Sequence, residues 1–430
     1  MEARGGDAAN SARLERDDIV HRKNAALLSD DEVGALRSAF EQIKQISAVA
    51  RGDDRGFFEH AGRHGVPYWD CPHHTPQRIF LPWHRAYLYR LEQALADQVR
   101  GVTLPWWDWT TTREIPAPFA EPQVGGAPNP LAGSRTLVTP ADIRDGAPLI
   151  EETFRDPGPP DFLPVPDELR AVLEQPSFAV FSDACEDMHD GVHGWVGGTM
   201  TNVGYAAFDP VFWAHHCMID RVWWLWQQQG RMNAVPFAGW DDLVLEPFNL
   251  TVRDVLNANA LGFDYADSET LVVPLAGAGA AGEIIVCEPL ASELAVPDPA
   301  FAHADFEIGG IKHTGSSYEG LVYINNPAAD GSTGKDADAG YAGSFHVFGH
   351  GGCFGAEGHC DAPHERRRFD RRPLARAIRM KKRVNVSEPL RRAARSADEI
   401  QFTIVARVTD AVAGREGILD VKRLSIVTYR

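Results

Sequence analysis

The period of the hydrophobic pattern changes near residue 300. Upstream, apolar residues recur at helical spacing, as after the Ser-x-x-Glu capping box at Ser29–Glu32 and in the segment from Gln77 to about Val99. Downstream, short alternating stretches predict strands at 306–308, 320–324, 344–348, 383–386, 400–406 and 421–428. We therefore predict a mainly α, helical-bundle domain followed by a smaller all-β sandwich.

Composition indicates where these parts begin and end. Residues 115–165 are rich in Pro, Gly and Asp, which is typical of a long irregular excursion, and the small-residue run at 276–282 is typical of a linker. The predicted parts are a disordered N-terminus at 1–18, a helical domain at 19–275, a linker at 276–300 and a β-sandwich at 301–430.

Charge and hydropathy exclude several classes of partner. The 430 residues carry 42 basic and 60 acidic side chains, a net charge of −18, which disfavours nucleic acid and anionic membranes. The chain has no apolar window long enough to span a bilayer and no secretory signal at its start, and its six Cys are too sparse for a disulfide scaffold. We expect a cytoplasmic, reduced protein, with export by a partner protein and the oligomeric state left open.

Two histidine groups indicate where the chemistry lies. His189 and His193 are four residues apart, so a helix presents both rings on one face, and Asp209-Pro210 opens a further helix that carries His216. Upstream, His64 ends a helix, His73 or His74 lies in the following loop, and His84 lies beside an apolar helical stripe. Each group of three imidazoles is predicted to bind one metal ion.

The donor types favour copper over two alternatives. Imidazole-only groups suit copper, and two such ions facing each other leave open positions for O2 as a co-substrate. A zinc site is the nearest rival, because His-Asp-x-x-His is similar to the zincin pattern His-Glu-x-x-His, but Asp is a shorter arm than the Glu of that pattern. A di-iron site is disfavoured, because it needs two Glu-x-x-His motifs and only Glu186-x-x-His189 occurs.

The motifs resemble those of the coupled dicopper family of tyrosinases, catechol oxidases and molluscan haemocyanins. The resemblance covers about residues 20–265 and rests on His64-Gly65-x-Pro67, Phe80-Leu81-Pro82-Trp83-His84-Arg85, His189-x-x-x-His193 and Asp209-Pro210-x-Phe212-Trp213-x-His215-His216-x-x-x-Asp220-Arg221. More weakly, Val322-Tyr323-Ile324-Asn325 and Tyr341-Ala342-Gly343-Ser344-Phe345 resemble the C-terminal domain of plant-type polyphenol oxidases. In that family the C-terminal domain can cover the copper site and hold the enzyme latent.

The resemblance implies a set of metal ligands. The first copper ion would be bound by His64, His73 and His84, and the second by His189, His193 and His216. His73 is preferred to His74 because Cys71-Pro72-His73 matches the Cys-x-His unit that forms a thioether in several members. The gap from His73 to His84 is two positions longer than usual in the family, so His74 stays an alternative, and Cys71 stays either a crosslinked or an ordinary buried thiol.

Two carboxylates are given roles by the same resemblance, and a third by the general tendency of ligating imidazoles to donate their second N–H to an acceptor. Glu186 corresponds to the residue that holds a water for deprotonating a phenol, and Asp190 would attract phenols or act as a base. Asp220 would either orient a ligand or form a surface ion pair. A further group, for which metal loading, a disulfide and a simple loop are all open, lies in the C-terminal region: His346, His350, Cys353, His359, Cys360 and His364.

The resulting hypothesis is a phenol oxidase acting on small phenolic substrates. It would convert o-diphenols, and monophenols or o-aminophenols, to o-quinones or their imine equivalents, and would be latent until the C-terminal domain is displaced. The alternatives are an oxygen carrier of the haemocyanin kind and a zinc hydrolase.

Overall fold

The structure, a computed structural model, consists of a helical part and a β part. It describes residues 19–72, 77–143, 148–265, 285–286, 290–295, 301, 303–349, 380–394, 399–408 and 418–429. The predicted disordered N-terminus lies outside these residues. Among the described helices, none is both long enough and apolar enough to cross a membrane.

The helical part is built around four long helices. The helices are α1 Asp30–Val49, α2 Phe57–His64, α3 Phe80–Gln98, α4 Ala117–Ala120, α5 Pro166–Leu173, α6 Phe178–Val196, α7 Pro210–Gln228 and α8 Val252–Val255. The predicted capping box and the predicted helix start at Pro210 are confirmed, and the structure adds a cap at Asp209. The Ser29 hydroxyl accepts from the Glu32 backbone N–H, whose side chain accepts from the Ser29 N–H, and Asp209 caps α7 directly before Pro210.

Residues 115–165 are largely irregular, as predicted, and contribute only short elements. Small strand pairs in the helical part are β1 Val20–Arg22 with β6 Phe263–Tyr265, β2 Gln123–Val124 with β3 Ala127–Pro128, and β4 Val244–Leu245 with β5 Leu250–Thr251. Strands β1 and β6 pair in parallel, and this pairing brings the two ends of the helical part together.

A buried cluster of charges fixes α3 against α7. The Arg85 Nε donates to Asp220 Oδ1 at 2.6 Å, and the Tyr265 hydroxyl donates to Asp220 Oδ2 at 2.5 Å. Arg22 also reaches Asp220, at 3.3 Å, and binds Glu92 at 3.0 Å. Because Arg85 follows His84 and Asp220 lies one turn after His216, this cluster sets the relative position of two predicted ligands.

The C-terminal region forms two packed sheets, which confirms the predicted sandwich. The strands are β7 Ile285–Val286, β8 Leu290–Ala295, β9 His303–Ile311, β10 Tyr318–Ile324, β11 Tyr341–Val347, β12 Met380–Asn385, β13 Glu399–Val408 and β14 Arg423–Tyr429, with α9 at Ser387–Ala393. Among the described residues, one sheet runs β11-β10-β13-β7 with β8 also on β13, and the other runs β12-β9-β14. Phe306 and Phe402 stack between the sheets, with ring centroids 4.1 Å apart.

The sandwich begins earlier in the chain than the pattern predicted. Strands β7 and β8 pair with β13 and lie within 276–300, where a linker was expected. The apolar run at 284–287 that contains β7 is short, and β8, Leu-Ala-Ser-Glu-Leu-Ala, alternates weakly, so local periodicity could not identify either strand.

Candidate metal centre

Three imidazoles converge where α6 and α7 cross. His189 and His193 lie one turn apart on α6, and His216 lies on α7. The Nε2 atom of His216 is 3.2 Å from that of His189 and 3.3 Å from that of His193. All three residues are fully buried. The structure thus brings the three predicted ligands of the second site to one point.

In two of these three residues, the second ring nitrogen, Nδ1, is hydrogen-bonded to a protein oxygen. His189 Nδ1 lies 3.0 Å from Asp190 Oδ1, and His193 Nδ1 lies 2.8 Å from the Met200 carbonyl oxygen. Imidazoles that bind metal ions are usually oriented in this way, because an acceptor at Nδ1 fixes the tautomer that leaves the Nε2 lone pair available.

The first predicted site lies beside the second. His64, at the C-terminal end of α2, and His84, on α3, are buried, and their Nδ1 atoms are 3.1 Å from the Val203 carbonyl oxygen and 2.9 Å from that of Phe80. Cys71 Sγ is 3.7 Å from His84 Nε2. The remaining candidates for this site, His73 and His74, lie outside the described residues, so the choice between them and the thioether stay predictions.

The two groups of rings face each other. The ring of His84 stacks on that of His216, with centroids 4.4 Å apart and planes 16° apart. The His64 and His216 centroids are 6.1 Å apart. The ligand atoms of both sites therefore lie in one buried chamber, which is the arrangement that two neighbouring metal ions require.

The chamber keeps its imidazoles neutral. Burial lowers the pKa of His84 and of His193 to about 3. Burial, reinforced by neighbouring imidazoles, holds the pKa of His64 and of His216 well below the ordinary value. Neutral imidazole is the form that binds a metal ion, so the donor set fits the two copper ions predicted from the sequence.

His215 is also part of this chamber. A ring nitrogen of His215 lies within 4.8 Å of ligand atoms of His189, His193 and His216, and its ring stacks on that of His189 with centroids 5.2 Å apart. The His216 Nε2 atom lies close to both α6 imidazoles, which agrees with the choice of His216 as the ligand on α7. By position, His215 is a further candidate ligand of the second site.

The two predicted catalytic carboxylates have different surroundings. Burial and Asp183 raise the pKa of Glu186 to about 8, against the opposing effect of Lys382 and Arg78. Glu186 lies one turn before His189 on the same helix face. Asp190 is buried and accepts from His189 Nδ1 through Oδ1 and from Lys382 Nζ, at 2.9 Å, through Oδ2. The contacts of Asp190 indicate that it positions His189, and the catalytic roles of both carboxylates remain predictions.

Neither role expected for Asp220 was right. Its side chain is buried, so it does not form a surface ion pair. Its carboxylate is bound by Arg22, Arg85 and Tyr265, in the cluster that fixes α3 against α7. The role of orienting a ligand belongs instead to Asp190, the nearest carboxylate to a ligand in sequence.

The sequence analysis missed a side chain that covers the chamber. Phe348, directly after β11, is buried with the core of the helical part, and its ring stacks on that of His193 with centroids 4.2 Å apart and planes 19° apart. Its ring is 5.9 Å from that of His189. The β part therefore inserts an aromatic ring beside the second site.

Further bonds hold the β part in this position. His346 donates its backbone N–H to Asp187 Oδ1 at 2.8 Å, and the Ser317 hydroxyl donates to the Thr201 carbonyl oxygen at 3.0 Å. Of the C-terminal His and Cys group, only His346 is described, and it binds Asp187 on α6. The remaining members lie outside the described residues.

Comparisons with known proteins agree with this centre. The family model "Common central domain of tyrosinase" matches residues 40–162 and 160–229, which include the described imidazoles. The chain is 34% identical over 250 residues to a tyrosinase of Streptomyces lincolnensis, covering 52% of this chain and 88% of that protein. It is 32% identical over 250 residues to "Hemocyanin 2" of Megathura crenulata, covering 53% of this chain but only 7% of that much longer protein.

The fold is shared over nearly the whole chain. The solved structure of a latent aurone synthase, a polyphenol oxidase, superposes with a TM-score of 0.62 at 18% identity, covering 96% of this chain and 90% of that one. The likeness therefore includes the β part as well as the helices.

Proposed function

Because this chain belongs to the tyrosinase family, whose members hold two copper ions, we propose that it is a copper-dependent phenol oxidase. It would use O2 to oxidise o-diphenols, and monophenols or o-aminophenols, to o-quinones or their imine equivalents. The observation that carries the proposal is the convergence of the His189, His193 and His216 Nε2 atoms beside the His64 and His84 rings. Bound copper would supply the redox chemistry with O2.

The residues of the chain would do the remaining work. The acceptors at Nδ1 hold each imidazole with its Nε2 lone pair toward the chamber, so a metal ion finds its ligands already oriented. The aromatic walls exclude bulk water. Glu186, whose pKa is raised to about 8, would hold a water and pass a proton from an incoming phenol.

An oxygen carrier is the second candidate. Haemocyanins favour it, because one of them matches this chain over 250 residues and the structure of another shares its fold. The chain spans less than a tenth of the length of that Megathura protein. An oxidase is supported by the match to a tyrosinase along most of that protein's length.

We further propose that the chain is latent as it stands. The Phe348 ring occupies the face of His193 that a phenol ring would need in order to approach the second copper ion. With this ring in place, the β part excludes the substrate. Displacing the β part, or removing the ring, would open the site.

The test compares the full chain with its Phe348→Ala variant, both loaded with copper. Metal content is measured first, and oxygen consumption is then followed with tyrosine, catechol and o-aminophenol side by side. We expect two copper ions per chain and turnover of at least one substrate by Phe348→Ala. Reversible uptake of O2 by both proteins with no consumption of any phenol would identify a carrier, and zinc in place of copper would overturn both candidates.

A further inference from the structure

A lysine of the β part lies between two carboxylates of the helix that carries the second site. Lys382, on β12, places Nζ 2.9 Å from Asp190 Oδ2 and 3.1 Å from Asp187 Oδ1. Only 6% of the lysine side chain is exposed. Asp187 and Asp190 are three residues apart on α6, so their side chains are neighbours on one face of the helix. The β part thus delivers one ammonium group to this face.

The ammonium arrives at the same part of the helix as the covering ring. Phe348 stacks on His193, which lies three residues after Asp190 on α6. The ammonium group and the covering ring therefore contact the same two turns of α6, at Asp187, Asp190 and His193.

The helix face is acidic, and most of its cations come from the β part. The carboxylates that recur along it are Asp183, Glu186, Asp187 and Asp190. Within the described helical part, Arg78 pairs with Asp183. The cations from the β part are Lys382 on Asp187 and Asp190, and Arg383 at 3.8 Å from Asp183. The His346 imidazole also contacts Asp187. When the β part leaves, these cations leave with it and the carboxylates remain beside the opening.

We infer that Asp187 and Asp190 select phenols and catechols that carry a cationic side chain, and that Lys382 occupies the place of the substrate's ammonium group in the closed chain. The inference rests on the proposed oxidase function and names its substrate class. Attraction at a partly desolvated entrance is strong enough to discriminate, because the effective dielectric constant there is well below that of water. A phenol with an anionic side chain would meet the same carboxylates and be repelled.

The test uses the full copper-loaded chain carrying Phe348→Ala, with dopamine, catechol and 3,4-dihydroxyphenylacetate as probes. The measured quantity is the ratio of kcat/KM for dopamine to that for 3,4-dihydroxyphenylacetate. Adding Lys382→Gln should raise this ratio about tenfold, since the carboxylates lose their internal cation. Lys382→Arg, which keeps the charge, should leave the ratio unchanged, and higher salt should reduce the gain.

A second variant tests the inference without changing Lys382. Asp187→Asn, added to Phe348→Ala alone, should lower the ratio about fivefold, because it removes one negative charge from the entrance. This variant decides the question if Lys382→Gln does not fold. A ratio that stays constant through the Lys382 and Asp187 changes, while catechol is still oxidised, would overturn the inference. If catechol itself is not oxidised by any variant, it is the proposed function that fails.

Discussion

Removing the Phe348 ring should convert a closed chain into an active one. The ring is 1% exposed, and burying a Phe side chain contributes about 1.5–3 kcal/mol. Stacking on His193 adds about 0.5–1.5 kcal/mol. Together these terms favour the closed state by about 2–4.5 kcal/mol, which corresponds to roughly a 30- to 2,000-fold change in the closed-to-open equilibrium.

The assay is the initial rate of catechol oxidation per pair of bound copper ions, followed with an oxygen electrode. Phe348→Ala should raise this rate by at least about 30-fold. The increase is smaller only if nearly all molecules are already open before that limit is reached. Phe348→Leu, which fills the space without stacking, should give an intermediate rate. Both variants are compared with the unsubstituted chain at equal copper content.

A matched control separates opening from general destabilisation. Phe40, on α1, is equally buried at 1% exposure, and its ring packs against Phe57. Phe40→Ala should cost about 3–5 kcal/mol of unfolding free energy but leave the rate per copper pair unchanged. If Phe348→Ala lowers the melting temperature without raising the rate, the ring does not block the site and the latency argument is refuted.

Other substitutions test other parts of the site. His216→Ala should lose about half of the bound copper by elemental analysis, whereas His215→Ala should keep both ions; equal losses would make His215 a ligand as well. Glu186→Gln, tested in a Phe348→Ala chain, should reduce the kcat for a monophenol at least tenfold more than that for catechol, and equal reductions would indicate a structural role. Asp220→Asn should lower the free energy of unfolding in urea by about 3–5 kcal/mol, because it leaves the buried Arg85 guanidinium group without its counter-ion, and a change below 1 kcal/mol would refute the importance of that cluster.

The local patterns predicted the parts of the fold whose causes are local. The capping residues Ser29 and Asp209 satisfy the first N–H groups of their own helices, so their role is visible in a few residues of sequence. The spacing of His189 and His193 placed both rings on one face of α6 for the same reason. Strands β11 and β12 alternate between buried and more exposed side chains, as expected for a sheet with one packed face, whereas β9 and β10 are buried along most of their length.

The contacts between the helical part and the β part could not be predicted from local sequence patterns. Lys382 and Asp190 are 192 residues apart in the chain and meet only because a sheet packs on a helix. Lys382 lies between Lys381 and Arg383 in a basic strand, and Phe348 follows a strand, so by composition they are an ordinary surface residue and an ordinary core residue. Asp220 was misjudged for a similar reason, since its partners Arg22, Arg85 and Tyr265 come from distant segments.

The position of Phe348 in the chain also orders events during biosynthesis. Every predicted ligand precedes it, and His216, the last of them, is made roughly 130 residues earlier. At about 5–20 residues per second, roughly 6–26 s therefore pass between the synthesis of His216 and the synthesis of Phe348. Metal acquired in that window needs no opening of the finished protein, whereas a chain completed without copper must first undock its own sandwich. Limiting copper during translation should therefore leave a pool of molecules that fill slowly afterwards.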